Sequence, residues 1–195
     1  MKKLLFLLIC VANFSMAGII PNFHTVDKGN LYRSAQLSKK QFIRYIKEYD
    51  IKTVINLRGE SSKDWYKDEM EAMLETSTGH FDIGMSAKRL PHRKDLLKLL
   101  DLLENAPRPI LIHCQGGADR TGEASALYKL VEEFKTKKEA LKMLRLKYFH
   151  LRKRYPAKRY FISEVFQDPQ WARDHYFPCE GKYKYYEPSK YSECN

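Results

Sequence analysis

The chain has 195 residues, of which 44% are hydrophobic and 30% charged, and its formal net charge is +11. That composition suffices for one ordinary buried core, and with neither an internal repeat nor a low-complexity tract it excludes a repeat array and leaves one domain as the expectation. The basic balance favours anionic partners, whether phosphorylated small molecules, acidic proteins, nucleic acid or anionic lipid, without choosing among them.

Met1-Lys2-Lys3 precedes the apolar run Leu4 to Phe14, and Ser15 and Ala17 supply small residues where a signal peptidase uses them. The run is shorter than the about 20 residues of a spanning helix, and polar Pro21-Asn22 follows it. Residues 1–17 are therefore expected to be a secretory signal, cleaved or retained as an anchor, with the protein exported to a periplasmic or extracellular space. Residues 18–167 then make the folded domain and 168–195 a C-terminal extension rich in Tyr. Without the signal, Cys114, Cys179 and Cys194 remain. In an oxidising compartment an odd count means one pair and one free thiol. Cys179 and Cys194 are close in sequence, so a disulfide between them is expected, with Cys114 free.

Residues 18–30 read as irregular and Asn30 to Ser34 as a short strand and turn. Ser38 caps a predicted helix to about Tyr49, with Phe42, Tyr45, Ile46 and Tyr49 at helical spacing. Thr53 to Leu57 is a predicted buried strand ending before Gly59. Ser62 is the expected cap of a helix over 63–77, and Phe81 to Met85 a further short strand. Leucines at 96, 97, 99, 100, 102 and 103 predict a helix over Arg93 to Glu104, ended by Asn105-Ala106-Pro107. Ile110-Leu111-Ile112 is a predicted central strand, followed by helices over about 121–134, 136–149 and 157–167. Strands separated by helices predict an α/β fold, a layered sandwich whose central, largely parallel sheet is flanked by helices. In such sheets ligands sit beyond the carboxyl ends of the strands, and residues 113–122 fall there.

Those residues read HCQGGADRTG. Gly116 and Gly117 permit torsions that other residues resist, so successive N–H groups from Gln115 through Ala118 and Asp119 to Arg120 can converge on one anion, aided by the positive end of a helix starting near Arg120-Thr121. Arg120, six residues beyond Cys114, offers a planar fork to two phosphoryl oxygens. The same field lowers the pKa of Cys114 and makes it a thiolate nucleophile. Thr121 donates toward the sulfur when the phosphocysteine is hydrolysed, and His113 is expected to order the loop through backbone bonds rather than act as a base. The competing readings are an inert buried cysteine and a generic Gly-rich loop. No Cys-x-x-Cys or paired-His spacing suggests zinc, the Gly-Lys-Ser/Thr ending of nucleotide-binding loops is absent, and the chemistry calls for no cofactor.

The joint pattern of strand, His-Cys, five residues, Arg, Thr-Gly and helix resembles the Cys-x5-Arg signature of the cysteine-dependent tyrosine and dual-specificity phosphatases. With GNLYRSAQ, TVINLRGE, IGMSA and RPILIHC, the likeness covers about residues 25–135 and is nearest to the atypical dual-specificity phosphatases of plants and fungi and their bacterial relatives. It implies a compact α/β phosphatase domain and two-step hydrolysis of a phosphoric monoester through a phosphocysteine, without metal. The general acid has two candidates. Asp82 lies 32 residues before Cys114, near the spacing of conventional dual-specificity enzymes, but inside an apparent strand. Asp119 precedes Arg120 inside the loop, as in the myotubularin-like pattern, and is the preferred donor, a loop-bracing salt bridge being its structural alternative.

Lys88, Arg89, His92, Arg93 and Lys94 form a cationic stretch that the resemblance puts near the pocket mouth, where it would hold further phosphates of an inositol polyphosphate or phosphoinositide or simply be a solvated helix start. Lys147, Arg152, Lys153, Arg154, Lys158 and Arg159 interleave with Tyr148, Phe149 and Tyr155. Such a pattern binds nucleic acid or membrane, but amphipathic helices with buried apolar faces account for it and are the expectation. The expected activity is hydrolysis of phosphotyrosine or phosphoprotein esters, with inositol phosphates as the alternative substrate and a secreted phosphate-binding module as the alternative class.

Overall fold

The computed structural model describes residues 21–180 and 183–194; the expected signal segment lies outside the described residues. A five-stranded sheet is built from β1 (His24–Asp27), β2 (Leu31–Ser34), β3 (Thr53–Asn56), β4 (Gly79–Asp82) and β5 (Ile110–His113), in the order β1-β2-β5-β3-β4. Only β1 runs antiparallel, against β2; the other pairings are parallel. The predicted α/β sandwich with a largely parallel sheet is therefore the observed architecture, and β5 is its middle strand.

The central strands face apolar layers on both sides, which is why they read as unbroken apolar runs rather than alternating ones. Val54 and Leu111 join Phe42, Ile46, Ala72 and Met73 in a core under α1 (Lys39–Tyr49) and α2 (Asp64–Thr76). Their neighbours Ile55, Ile110 and Ile112 pack on the other face against α3 (Arg93–Asn105) and α4 (Arg120–Val131). Gln41 reaches back to the Ser38 N–H at 3.0 Å and fixes the start of α1, and Asp50 ends it in a left-handed conformation at φ 52°.

The structure corrects several boundaries. Residues 24–27, read as irregular, form an edge strand whose side chains are mostly half-buried, so no apolar alternation announces it. Lys63, not Ser62, occupies the cap position of α2. β4 lies at Gly79–Asp82, upstream of the expected Phe81 to Met85, because Ile83 and Met85 are buried from the loop that follows it. The helix expected over 136–149 is short α5 (Lys137–Ala140) and then two 3-10 turns, Leu141–Met143 and Leu146–Tyr148. The helix expected over 157–167 is α6 (Pro156–Tyr160) continuing into a π turn, Phe161–Val165.

The C-terminal segment packs against the rest of the chain. Within α7 (Pro169–Asp174) and the turns after it, Ala172, Tyr176 and Tyr186 belong to the larger core, and Cys179 is bonded to Cys194. Among the described residues no helix is long and apolar enough to cross a membrane.

Candidate active site

Because β2, β3, β4 and β5 are parallel, the connections after all four leave the same edge, and Cys114 is the first residue past β5 there. The loop is held open from outside. Gln115 O accepts from Gln36 N–H at 3.2 Å, Gly116 O from Asn22 Nδ2 at 2.9 Å, and Gly117 O from Arg33 Nη2 at 2.8 Å. A trans peptide places N–H opposite C=O, so fixing three successive carbonyls outward turns the amides of Gly116, Gly117 and Ala118 into the loop. Gly117 has φ +64°, and a Cβ there would lie 2.6 Å from Ala35 N and from Ser34 C and O, so no larger residue fits.

Cys114 is 2% exposed and, among the described residues, is the free thiol. Burial pushes its pKa up, but the Arg120 guanidinium, the Thr121 hydroxyl and the Thr121 and Gly117 amides outweigh that and hold the thiol below its ordinary value. The Thr121 hydroxyl is buried, lacks an oxygen or nitrogen partner, and bears on the sulfur. Arg120 is steadied by Nη1 donating to Leu57 O at 3.1 Å, while its buried Nε has no partner in the protein. Arg58, just past β3, stacks its guanidinium 3.3 Å above the Trp65 ring and donates to Gln36 Oε1 at 2.7 Å. Burial lowers the Arg58 pKa, and repulsion from Arg120 adds to it.

The two candidate acids sit in different settings. Asp119 is at the loop's end, with Oδ1 2.7 Å from Nδ1 of His150, whose side chain is fully buried while that of Asp119 is 14% exposed. Asp82 ends β4, in register with Asn56 of β3 and, across it, with His113 of β5, roughly 10 Å away at the usual strand spacing. Its carboxylate accepts from Asn56 Nδ2 at 2.7 Å and from the Tyr66 hydroxyl at 2.6 Å, a network on the α2 side of the sheet.

His113 does not brace the loop through ring bonds to its backbone. Nε2 lies 2.9 Å from Glu69 Oε1, the same oxygen that His80 Nε2 meets at 2.7 Å, while Gln36 Nε2 donates to Oε2 at 2.8 Å. Burial alone would push the Glu69 carboxyl up; the attraction of His113 and the three hydrogen bonds hold it well below the usual carboxylate range. The cationic stretch expected at the pocket mouth is largely engaged by the C-terminal segment. His92 Nδ1 is 2.6 Å from the Tyr186 hydroxyl, Arg93 donates to Arg173 O at 2.5 Å, and Arg89 lies 3.8 Å from Glu187. Lys88 and Lys94 are exposed.

Sequence reasoning missed Arg33, Gln36, Arg58, Glu69 and His150. Arg33, Gln36 and Arg58 lie at the carboxyl ends of β2 and β3, the strands flanking β5, and that position was the available signal. Glu69 and His150 come from helix and turn surfaces whose local sequence says nothing of their partners.

Residues 15–158 match the family model described as a DSP-PTPase phosphatase fused to NAD+ kinase. Over 111 residues, 57% of this chain and 24% of the relative, the chain is 27% identical to the human dual specificity protein phosphatase CDC14C. It is 31% identical to the dual specificity protein phosphatase TpbA of Pseudomonas aeruginosa over 113 residues, 57% of this chain and 48% of TpbA. The chain thus spans about half or less of the length of these curated relatives. Among solved structures it is similar to a serine-for-cysteine variant of TpbA in complex with phosphotyrosine, with a TM-score of 0.62, 21% identity, and coverage of 83% of this chain and 91% of that one. It is also similar to the core catalytic domain of the PP-IP phosphatase SIW14 from S. cerevisiae, with a TM-score of 0.63, 23% identity, and coverage of 75% and 87%.

Proposed function

The chain belongs to the DSP-PTPase phosphatase family, and on that footing we propose that it hydrolyses phosphoric monoesters of phosphotyrosine and other phosphoprotein side chains through a phosphocysteine on Cys114. The observation that carries this reading is the inward set of loop amides around a buried thiol whose pKa is lowered by Arg120 and Thr121.

In the first step the Cys114 thiolate attacks phosphorus, the P–O ester bond breaks, and the departing oxygen takes a proton from Asp119. The loop amides and the Arg120 fork stabilise charge on the phosphoryl oxygens as it passes between sulfur and oxygen. In the second step water attacks phosphorus, gives its proton to the Asp119 carboxylate, and the P–S bond breaks. The Thr121 hydroxyl donates to the returning thiolate. His150 acts as a positioning residue, fixing which way the Asp119 carboxyl points.

A peptide ester is favoured over an inositol polyphosphate because, in the 88–94 stretch where further phosphates would be held, the C-terminal segment already engages Arg89, His92 and Arg93. TpbA in complex with phosphotyrosine illustrates the first substrate class on this fold. Export is part of the same proposal, supported by the Cys179–Cys194 disulfide, which belongs in an oxidising compartment.

The test is phosphate release from phosphotyrosine peptides, inositol polyphosphates and para-nitrophenyl phosphate by the wild-type protein and Cys114→Ser. Peptide hydrolysis exceeding inositol phosphate hydrolysis, both abolished by the substitution, is expected. Equal behaviour of the two proteins would make this a phosphate-binding module, and faster inositol phosphate hydrolysis would reverse the substrate order.

A further inference from the structure

We propose that the segment from Arg145 to Tyr155 is a docking surface for an anionic lipid bilayer, placed beside the phosphate-binding loop. The basic and aromatic interleaving of this stretch was expected to be an amphipathic helix with its apolar face inward. Instead the chain makes a 3-10 turn at Leu146–Tyr148, and Phe149 takes a left-handed conformation at φ 63°. That geometry sends Tyr148 and His150 inward, at 6% and 1% exposure, and turns Leu146, Phe149 and Leu151 outward, at 70%, 54% and 45%.

The inward residues anchor the segment. The Arg33 guanidinium lies 4.1 Å over the Tyr148 ring, Asn22 Nδ2 donates to Tyr148 O at 3.3 Å, and His150 holds Asp119. The outward apolar groups are thus presented by a fixed backbone. Arg145, Lys147, Arg152, Lys153 and Arg154 stand exposed among them, and the sequence has no Asp or Glu between Glu139 and Glu164.

Single exposed apolar residues are ordinary on a protein surface. Three within six positions, interleaved with exposed cations in a stretch that carries no acid of its own, match what a bilayer of anionic headgroups offers: an apolar boundary for the side chains and phosphates for the Lys and Arg groups. A second copy of the chain fits poorly, since a net charge of +11 sets like against like. Single-stranded nucleic acid asks for a row of aromatic platforms, and here Leu146 and Leu151 supply none. The inference stands apart from the chemistry of Cys114.

The experiment is co-sedimentation of the full chain with vesicles of phosphatidylcholine alone and of phosphatidylcholine with about a third phosphatidylglycerol. One variant carries Leu146→Ser, Phe149→Asn and Leu151→Ser, the Asn chosen to tolerate the left-handed backbone. A second carries Arg152→Gln, Lys153→Gln and Arg154→Gln. Binding to the anionic vesicles, more than about tenfold weaker in each variant and weakened by salt, is expected. Para-nitrophenyl phosphate turnover and the melting temperature should stay at wild-type values, and Cys114→Ser should sediment like the wild type. Equal partition to neutral and anionic vesicles, or variants that bind as the wild type does, would overturn the proposal. So would tighter binding to an oligonucleotide or an acidic phosphopeptide at the same residues, or a change of oligomeric state in the apolar variant.

Discussion

Glu69 accepts hydrogen bonds from His113, His80 and Gln36 where no water reaches, so Glu69→Gln brings two amide donors to a place where three already converge. A loss of roughly 1–3 kcal/mol in urea unfolding is expected. Because the folded carboxyl is held below its ordinary value of about 4.3, its stabilisation is fully present above that pH and is lost as pH falls through the folded value. The wild-type melting temperature should therefore drop between pH 5 and the acid limit, and the Gln variant should lack that part of the drop. At the thiol the sign is a matter of reactivity: iodoacetamide inactivation should half-titrate below the ordinary thiol value of about 8.5, and Arg120→Ala should move the midpoint upward. For the acid, Asp119→Asn should cut turnover by about 10² to 10⁴ while Asp82→Asn leaves it within a few-fold; the reverse order would transfer the role to Asp82. The Cys-to-Arg spacing made Cys114, Arg120 and Thr121 readable, since one short loop carries all of them. Glu69 and His150 were not readable, because each acts on that loop from 31 or more residues away.

Four parallel strands put their ends at one edge, and the apolar runs in β3 and β5 are the part of the sequence that announces the arrangement. What stayed hidden were the pieces whose hydrogen bonds go to distant side chains. Residues 136–149 have helical composition, yet Met143 O accepts from Arg33, Leu141 O and Leu144 O accept from Arg159, and Tyr148 O accepts from Asn22. Carbonyls given to those partners are not available to a continuing helix, so propensity yields to tertiary contact. β1 and β4 are the edge strands, paired on one side and lacking an apolar face that repeats every second residue. The turn at Gly117 carries a direct test. Gly117→Ala meets backbone atoms of Ser34 and Ala35 at 2.6 Å with φ +64°, and a loss of roughly 2–5 kcal/mol in chemical denaturation is expected, with phosphate binding lost alongside.

The C-terminal segment ties distant parts of the chain together. The Cys179–Cys194 link closes a span of 15 residues, for which chain entropy alone gives about 3 kcal/mol, and it carries Tyr186 and Tyr191 onto His92. Reduction, or Cys179→Ser with Cys194→Ser, should lower the melting temperature by several degrees and raise hydrogen exchange across residues 86–93. Deeper in, the fully buried pair of Glu123 and Lys158 joins α4 to α6 at 2.7 Å, and burial drives both toward neutrality, Glu123 up and Lys158 down. Lys158→Met alone should cost about 3–5 kcal/mol, and adding Glu123→Leu should recover much of it. The pairing of sulfurs also settles how this protein meets an oxidant. With Cys114 a free thiol and the other described cysteines closed on each other, a sulfenic acid formed on Cys114 finds no thiol among the described residues to capture it. Recovery then depends on an external reductant that enters the anion hollow, so bound phosphate should shield the protein from both damage and repair.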